Sequence, residues 1–388
     1  MNSEKKVCSE GIWDSTVPGI AFDSQGVSNY CQMQKTLMQM YPRGKQGKKI
    51  WSGIIRNVKR KGKRKKYDCI VGVSGGVDSS YLLYLLSIQG LRVLAVNLDN
   101  GWSSDIAVKN IKQMTSALGI DLETYVIDYE EIKDLLRAYM RAGLPWIDIP
   151  TDIAIKATMY NSALKLGVKY VFRGNDFRSE GKQPREWTYG DSRQLKYIHN
   201  RFGNSRKLKS FPNLPFWKIF YAGFIRGVKE IRPYYYLEYS KQDARRFLAE
   251  KFGWQDYGGH HHENIFTKFA IGHWLPEKFG IDKRKITLSA QVISGKITRA
   301  EALKMIDQRI YTKSQLDKDI AYIKKKLDIS DKEYADIWRS KNKDYLDYPS
   351  NFQIIQKFSK FLGPIIKLVY STPPMAFTEI KMRAEKRH

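Results

Sequence analysis

The sequence predicts an α/β fold with a mainly parallel sheet at its centre, and three observations support this. From Tyr67 onward, short apolar runs alternate with segments whose apolar residues recur at helical spacing. The short runs are almost continuously apolar, as in strands that are covered on both faces. Glycine and small polar residues separate the segments. Strands that alternate with helices favour right-handed crossovers, and ligands then bind beyond the carboxyl ends of the strands.

Four strands and the helices between them can be located in order. The predicted strands cover residues 69–73, 93–98, 122–127 and 170–172. The helix after the first strand is predicted to end near Gly90, and the helix after the second strand is closed by Gly119. Before the fourth strand, we expect a helix that begins at the N-cap Thr151 and ends at Gly167.

The chain is predicted to have four parts. They are an N-terminal segment, 1–42, a basic helix and linker, 43–66, an α/β domain with an insertion, 67–260, and a helical C-terminal region, 261–388. The first forty residues are expected to form loops and short turns. In the C-terminal region, Thr298 with Glu301 and Ser330 with Glu333 have the spacing of capping boxes.

The formal net charge of +27 is the most unusual bulk property. Residues 43–66 contain twelve Lys and Arg and no Asp or Glu, with Trp51, Ile54, Ile55 and Val58 at helical spacing. We therefore expect an amphipathic helix with a charged outer face. Such a charge attracts nucleic acid, an anionic membrane surface, an acidic protein or a polyanionic substrate, although a solvated basic surface also explains it.

The composition excludes several protein classes. No apolar run approaches the roughly 18 residues of a membrane-spanning helix, and the first residues lack the layout of a signal peptide. Three cysteines in 388 residues do not form a disulfide framework. We expect a cytoplasmic protein without a membrane span.

A glycine-containing turn follows the first predicted strand and precedes the first helix. It consists of Ser74, Gly75, Gly76, Val77, Asp78 and Ser79. Glycines allow a tight turn close to a ligand, and the start of a helix presents free N–H groups that suit phosphate. No Gly-Lys-Ser/Thr follows, so the turn is not a Walker A loop. An ordinary strand–helix turn that happens to be rich in Ser and Gly is the structural alternative.

The segment YDCIVGVSGGVDSSYLLYLL closely resembles the PP-loop, or N-type ATP pyrophosphatase, superfamily. The resemblance implies a HUP-like, Rossmann-like domain that splits ATP between its α and β phosphates and holds the pyrophosphate in the turn. ATP and Mg²⁺ are the cofactors expected. Asp78 is the first candidate Mg²⁺ ligand, and Asp176 is a weaker candidate with a catalytic role.

Two further turns fit this resemblance. Asp99 and Gly101 follow the second strand, where the superfamily binds the nucleoside, and Gly174 and Asn175 follow the fourth strand. Both turns would lie at the same edge of a parallel sheet. Asn, Asp and Gly are also the residues of ordinary turns, so the composition alone leaves both interpretations open.

Other segments resemble the N-acetyl sugar amidotransferases of surface-polysaccharide biosynthesis. They are 8–11, 18–23 and 26–31 near the N-terminus, and 257–267, 278–285 and 294–295 further along. The resemblance implies conversion of an acetamido group of a nucleotide-linked sugar to an acetamidino group. A UDP-linked 2,3-diacetamido uronic acid of lipopolysaccharide O-antigen is the substrate that it suggests.

The chain departs from that family in its cysteines. The family leader carries two C-x-x-C pairs, a tetrahedral zinc pattern. Gly11 and Ser28 stand where the second and third cysteines would be, which leaves Cys8 and Cys31 as the remnant of a zinc site. We do not expect zinc, and the two thiols are predicted to pack against each other.

The acceptor site is assigned to charged residues of the same resemblance. Lys283 and Arg284 are predicted to be catalytic, by cradling pyrophosphate or the sugar-nucleotide diphosphate. The residues predicted to bind the acceptor are Glu180, His260, His262, Glu263 and Lys285. The irregular aromatic segment 176–240 is the predicted lid. Solvated surface charges and histidines are the alternative for each cluster.

The implied mechanism needs ammonia. Attack of an amide oxygen on the α phosphorus gives an O-adenylated imidate, to which ammonia adds. Position 2 is Asn and Cys69 lies within the first strand, so we find no glutaminase nucleophile. We expect a separate glutaminase subunit resembling that of imidazole glycerol phosphate synthase, together with a cyclase-type subunit of that kind. No nucleic-acid partner is expected under this interpretation.

Two other functions remain open from the sequence. A tRNA-modifying PP-loop enzyme, of the thiolation or lysidine type, would explain the positive charge. A degenerate PP-loop protein would bind nucleotide without turnover, although the intact SGGVDS turn argues against it.

Overall fold

The computed structural model describes residues 5–204, 207–257, 264–353 and 356. Its centre is a five-stranded parallel sheet. The strands are β1 (Cys69–Val73), β2 (Val93–Asp99), β3 (Asp121–Val126), β4 (Tyr170–Phe172) and β5 (Lys229–Ile231). They lie in the order β3-β2-β1-β4-β5, with Val71 opposite both Ala95 and Phe172. The strand order therefore reverses direction between β1 and β4, which is where sheets of this kind bind ligands.

Helices cover both faces of the sheet and form most of the remaining described chain. The first half contains α1 (Asn29–Met40), α2 (Gly44–Gly62), α3 (Val77–Ser87), α4 (Asp105–Leu118), α5 (Tyr129–Arg141), α6 (Ile149–Leu166), α7 (Phe177–Glu180), α8 (Arg185–Thr188) and α9 (Ser192–Phe202). The second half contains α10 (Phe216–Phe220), α11 (Lys241–Phe252), α12 (Ile265–Phe269), α13 (Arg284–Ile293), α14 (Arg299–Ile306), α15 (Lys313–Leu327) and α16 (Asp331–Arg339). Two π-helical segments, Tyr221–Ile225 and Ala270–Lys278, continue α10 and α12.

The predicted α/β fold is confirmed, and the four predicted strands agree with β1 to β4 to within one residue at each end. Gly119 and Gly167 end α4 and α6 in the left-handed conformation, as predicted. The basic helix is also confirmed, because α2 buries Trp51, Ile55 and Val58 against the sheet domain.

Three expectations are wrong. Thr151 is not an N-cap, since α6 begins at Ile149 after Asp148 and the Thr151 hydroxyl accepts a hydrogen bond from Asn100 instead. The first forty residues are not only loops, because α1 forms there. Ser28 caps α1 by accepting from the backbone N–H of Cys31, and Leu37 is buried. The capping box at Thr298 is present. At Ser330, the hydroxyl accepts from the Glu333 N–H, but the Glu333 carboxylate pairs with Arg137 and Arg141.

Strand β5 was not predicted from the sequence. It has only three residues, two of them charged, and it forms because it pairs with β4. The division of the chain into four domains stays a prediction. The N-terminal segment packs through Trp13, Tyr30 and Cys31 on Phe177 and Ile286, so it shares one apolar cluster with α7 and α13.

No helix in the described ranges is long and apolar enough to cross a membrane.

Candidate active site

A cleft of about 380 Å³ lies beyond the carboxyl ends of β1, β2 and β4. It is therefore at the point where the strand order reverses. The predicted site residues that line it are Ser74, Asp78, Ser79, Gly174, Asn175, Glu180 and Lys283. The structure thus brings together residues that are more than 200 positions apart in the sequence.

The turn after β1, which we call the phosphate loop (Ser74–Ser79), has a fixed backbone. Gly75 has a φ of +76°, and a Cβ atom there would lie 2.2 Å from the carbonyl oxygen of Ala107. Only glycine fits this position. The Gly75 carbonyl accepts hydrogen bonds from the Trp254 indole at 3.1 Å and from the Asn110 amide at 3.3 Å. The loop is held from behind by buried side chains.

The serine hydroxyls of the phosphate loop lie at the cleft. The Ser79 hydroxyl donates to the Gly76 carbonyl at 3.1 Å and accepts from the Ser74 N–H at 3.3 Å, while the Ser74 hydroxyl accepts from the Gly76 N–H. The Val77 side chain is buried, and the backbone N–H of Val77 donates to the Tyr257 hydroxyl at 3.4 Å. The first N–H groups of α3 have no carbonyl within their own helix, so the loop is suited to an anion.

Asp78 is a cleft residue whose carboxylate is already well oriented. Lys241 pairs with one oxygen at 2.9 Å, and the Tyr239 hydroxyl donates to the other. Tyr239 stacks on Tyr234, whose hydroxyl donates to the Asp78 carbonyl at 2.7 Å. A Cβ atom on Gly174 would lie 2.9 Å from the Asp78 carbonyl carbon, so the backbone after β4 packs directly against the phosphate loop.

Asp176 does not reach the cleft. Its side chain is fully buried, caps α7 through the Arg178 N–H, and forms ion pairs with Arg43 at 3.3 Å and Lys296 at 2.9 Å. Its carboxylate oxygens thus accept hydrogen bonds from Arg43 of the N-terminal part and Lys296 of the C-terminal part of the chain. The predicted roles in catalysis and in Mg²⁺ binding do not agree with this position.

In the turn after β2, the predicted residues Asp99 and Gly101 do not line the cleft, but residues next to them do. Asn97 and Asn100 line the cleft, whereas the Asp99 carboxylate accepts from the Gly101 N–H at 2.9 Å in a local turn. Gly101 has a φ of +75°, as such a turn requires. After β4, the Asn175 amide donates to Glu180 at 3.1 Å, and both residues line the cleft.

A second group of cleft residues, which we call the lysine wall, consists of Trp146, Asp148, Asp152, Thr267 and Lys283. The Lys283 ammonium lies 4.0 Å from the centre of the Trp146 ring, and the Trp146 indole donates to Asp152 at 2.7 Å. The Thr267 hydroxyl donates to Asp148. Desolvation lowers the pKa of Lys283 to about 8, against the opposing effect of the negative charges of Asp152, Glu180 and Asp148.

Sequence reasoning missed every residue of the lysine wall except Lys283. It also missed Arg173, a cleft residue directly after β4 that lies 3.6 Å from the Glu230 carboxylate. Arg232 and Lys156 also surround Glu230, and these cations lower the pKa of its carboxyl to about 2 despite burial. The position of Arg173 immediately before Gly174 was a usable signal, because it shares the strand end that was already singled out.

Several predicted residues lie away from the cleft or outside the description. Arg284 pairs with Asp282 and donates to the backbone carbonyls of Met305, Ile306 and Gln308. Lys285 pairs with Asp14 at 2.6 Å. Neither Arg284 nor Lys285 lines the cleft. His260, His262 and Glu263 lie outside the described residues.

Cys8 and Cys31 are buried and contact each other, as predicted for two packed thiols. The Cys31 thiol also donates to Glu10 at 3.1 Å. Its hydrogen bond to Cys8 lowers the pKa of Cys8 to about 5, while the pKa of Cys31 is raised by donating that bond. The described residues contain no group of three or more His, Cys, Asp or Glu that would hold a metal ion.

The donor set fits Mg²⁺ only with help from a substrate. Mg²⁺ in nucleotide sites is bound by one or two carboxylates together with phosphate oxygens and water. Asp78 is the carboxylate of the phosphate loop and lines the cleft, so it suits this role. Asp176, buried between two cations, does not.

Two family profiles match parts of the chain. Residues 67–180 match the tRNA methyl transferase HUP domain, and residues 263–360 match the C-terminal domain of the LPS biosynthesis protein WbpG-like family. With the parallel sheet and the phosphate loop, the first match shows a HUP domain of the PP-loop superfamily, whose members are ATP-utilising enzymes. The second match shows that a WbpG-like C-terminal domain follows it.

Curated relatives match a part of the chain. A tRNA-specific 2-thiouridylase MnmA from Polaromonas sp. is 30% identical over 124 residues, which are 28% of this chain and 31% of that protein. A tRNA(Ile)-lysidine synthase from Chlamydia pneumoniae is 34% identical over 73 residues, 18% of this chain and 22% of that protein. The chain therefore spans less than a third of the length of these relatives.

Among solved structures, an NH3-dependent NAD synthetase from Campylobacter jejuni has 14% identity and a TM-score of 0.31, covering 76% of this chain and 97% of that chain. An NMN synthetase from Francisella tularensis has 14% identity and a TM-score of 0.28, covering 60% and 94%.

Proposed function

We propose that this protein is an ATP-dependent amidotransferase that converts an acetamido group of a nucleotide-linked sugar to an acetamidino group. The substrate we favour is a UDP-linked 2,3-diacetamido uronic acid of lipopolysaccharide biosynthesis. One observation supports this more than any other. Lys283 and Thr267, from the WbpG-like region, line the same cleft as Ser74 and Asp78 of the PP-loop domain.

The first step joins the acceptor to AMP. The acetamido oxygen attacks the α phosphorus of ATP, a P–O bond forms, and the bond to the β-phosphate oxygen breaks with its electron pair on pyrophosphate. The phosphate loop binds the departing pyrophosphate through its N–H groups and the hydroxyls of Ser74 and Ser79. When bound, Mg²⁺ neutralises phosphate charge, and Asp78 is the cleft carboxylate that would hold it.

The second step replaces the activated oxygen. Ammonia adds to the imidate carbon, a proton passes to a carboxylate of the lysine wall, Asp148 or Asp152, and the C–O bond breaks to release AMP. The products are an amidinium group, AMP and pyrophosphate. The Lys283 ammonium lies among these carboxylates and would stabilise the negative charge on the leaving phosphate.

Ammonia is proposed to come from a separate glutaminase subunit, with a cyclase-type subunit as a further partner. The chain has three cysteines, and all three are buried. Burial raises the pKa of Cys69 within β1, which disfavours the thiolate that glutamine hydrolysis requires. None of the three is placed to act as an exposed nucleophile.

The test is turnover by the isolated chain with ATP, Mg²⁺, ammonium chloride at alkaline pH and a panel of nucleotide sugars. We expect AMP and pyrophosphate in equal amounts, and a sugar product in which one oxygen is replaced by NH. Glutamine should not replace ammonium. Asp78→Ala should abolish AMP formation, while Asp243→Ala, an exposed control, should not. If none of the nucleotide sugars supported turnover, the proposed substrate class would be contradicted. If glutamine supported turnover by the isolated chain, the separate glutaminase subunit would be contradicted.

A second candidate is a tRNA-modifying enzyme, favoured by the identity to tRNA-specific 2-thiouridylases and by the twelve cations of residues 43–66. Under this alternative, the chain would bind total tRNA tightly in a gel shift at near-physiological salt. It would form AMP with tRNA as the acceptor. The amidotransferase proposal predicts neither result.

A further inference from the structure

An exposed aromatic face is concentrated in the ten-residue helical segment 216–225, formed by α10 and the following π-helical turn. Five of the fifteen exposed large hydrophobic side chains in the described chain lie here. They are Phe216, Trp217, Phe220, Tyr221 and Ile225, which we call the aromatic face. Trp217 and Ile225 are the most exposed, at 67% and 65%. Such a concentration marks an interaction surface.

The opposite side of the same segment is anchored in the protein. Ala222 is fully buried, Ile219 is partly buried, and both belong to the apolar cluster that contains Val171 of β4. The Val228 N–H donates to the Ala222 carbonyl at 2.8 Å. The segment is thus amphipathic and fixed on one side, and its aromatic face points away from the core.

A cluster of cations borders the aromatic face. Arg226 follows Ile225 directly, and the Lys169 ammonium donates to the Arg226 carbonyl. Desolvation lowers the pKa of Lys169, and the positive charges of Arg226, Lys65 and Lys61 lower it further. The C-terminal end of the basic helix and the residues after it therefore lie near Lys169. Lys65 also lies against the backbone at Gly167.

The local charge is almost entirely of one sign. Residues 216–229 contain three Lys or Arg, Lys218, Arg226 and Lys229, and no Asp or Glu. Of the acids from adjoining elements, Glu230 is paired with Arg173 and Arg232, and Glu123 lines a shallow pocket with Lys165 and Lys218. Cations therefore border the aromatic face at Lys218, Arg226 and Lys169.

We propose that the aromatic face docks on an anionic phospholipid surface. Trp, Tyr and Phe are the side chains that settle at the boundary of headgroups and acyl chains, and flanking Lys and Arg bind anionic headgroups. A protein partner would need an acidic surface around an apolar groove. RNA bases could stack on the aromatic rings, but RNA would leave the exposed aliphatic side chain of Ile225 without a matching contact. A bilayer with anionic lipid satisfies both features together. This inference does not depend on the proposed reaction.

The test is flotation of the full chain with vesicles of phosphatidylcholine, with and without about 30% phosphatidylglycerol. We expect binding only to the anionic vesicles. The apolar double substitution Trp217→Ser with Ile225→Ser should lower the partition coefficient on the order of tenfold. Leu346→Ser with Met305→Ser, two exposed apolar side chains elsewhere, is the matched control and should bind as the wild type does. Unchanged melting temperatures would show that both doubles fold.

The electrostatic half has its own pair of variants. Lys61→Glu with Lys65→Glu should lower binding by at least tenfold, and Lys304→Glu with Lys325→Glu, which changes the net charge equally, should lower it much less. Raising sodium chloride from about 0.1 to 0.5 M should also release the protein. Equal binding to neutral vesicles, no effect of the apolar double, or equal effects of the two charge doubles would overturn the proposal. The proposal would also be overturned if the aromatic face were needed for self-association or RNA binding but not for vesicle binding.

Discussion

The phosphate loop and the lysine wall line the same cleft, and they are built in different ways. The phosphate loop is a contiguous hexapeptide whose shape depends on Gly75 and on buried supports such as Trp254. The lysine wall is assembled from side chains of distant segments, with Trp146 and Lys283 in contact at 4.0 Å. The loop offers backbone N–H groups, and the wall offers carboxylates and one ammonium.

This difference suits a division of the proposed reaction into two halves. Backbone groups that bind phosphate serve any acceptor, so the loop suits the ATP chemistry common to a superfamily. Side chains that differ between proteins select the acceptor. Changes in the loop should therefore abolish turnover with every acceptor, and changes in the wall should act on the acceptor steps.

The largest effect is expected for Gly75→Ala. A Cβ atom would meet the Ala107 carbonyl oxygen at 2.2 Å with φ at +76°, so the loop must shift. We expect AMP formation to fall about 1,000-fold, since both pyrophosphate binding and alignment are lost. The control is Gly119→Ala, which also has positive φ, at +62°, but meets no atom within 4 Å. A loss of the same size in the control, or normal turnover by Gly75→Ala, would contradict this role of the loop.

The next effect is expected for Lys283. Lys283→Met keeps the length of the side chain and removes its charge, which should lower the amidination rate about 100-fold while ATP binding persists. Because the pKa of Lys283 is lowered to about 8, its charged form is lost as the pH rises through that value. Turnover per unit of free ammonia should thus fall above pH 8 in the wild type. Lys283→Arg should remove that falling limb, and a limb that persists in this variant would exclude Lys283 as its source.

Asp176 should affect stability more than chemistry. Asp176→Asn removes the buried partner of Arg43 and Lys296, which should lower the free energy of unfolding by about 3–5 kcal/mol in urea titrations. The folded fraction should keep AMP formation within about tenfold. Asp243→Asn breaks an exposed pair with Arg246 and should cost less than about 0.5 kcal/mol. Full stability with no turnover in Asp176→Asn would restore Asp176 to the active site.

The smallest effect is expected for the cysteine pair. Cys8→Ser with Cys31→Ser places two hydroxyls in a buried site, at a cost of about 2 kcal/mol in the free energy of unfolding. Turnover should persist. A chelator should leave the melting temperature of the wild type unchanged, and metal analysis should find no stoichiometric zinc. One zinc per chain, with a lower melting temperature after chelation, would show that the site still binds metal.

The parts of the molecule that follow a local rule were predictable. Strands β1 to β4, the caps Gly119 and Gly167 and the phosphate loop each show their pattern within a short window of sequence. Helix α1 was missed because its apolar side chains alternate with polar ones, and because the segment before it has the composition of loops and turns. Strand β5 was missed because three residues with two charges form a strand only through pairing with β4.

The site was predictable only on its loop side. Lys283 was found through a resemblance, but neighbouring Arg284 and Lys285 turn away to Asp282 and Asp14, which a run of three cations does not reveal. Asp176 follows a strand end as a ligand would, yet it is enclosed by cations from residues 133 and 120 positions away. Long-range contacts decide such cases, and a single sequence does not contain them.

The most direct measurement of the central claim follows the acetamido oxygen. The acceptor would carry ¹⁸O in its acetamido carbonyl, and the reaction would run with ATP and ammonium. The account predicts pyrophosphate as the other product and ¹⁸O in the phosphate of AMP, because the amide oxygen attacks the α phosphorus and leaves with it. ADP as the product, or ¹⁸O released as water or inorganic phosphate while AMP stays unlabelled, would contradict it.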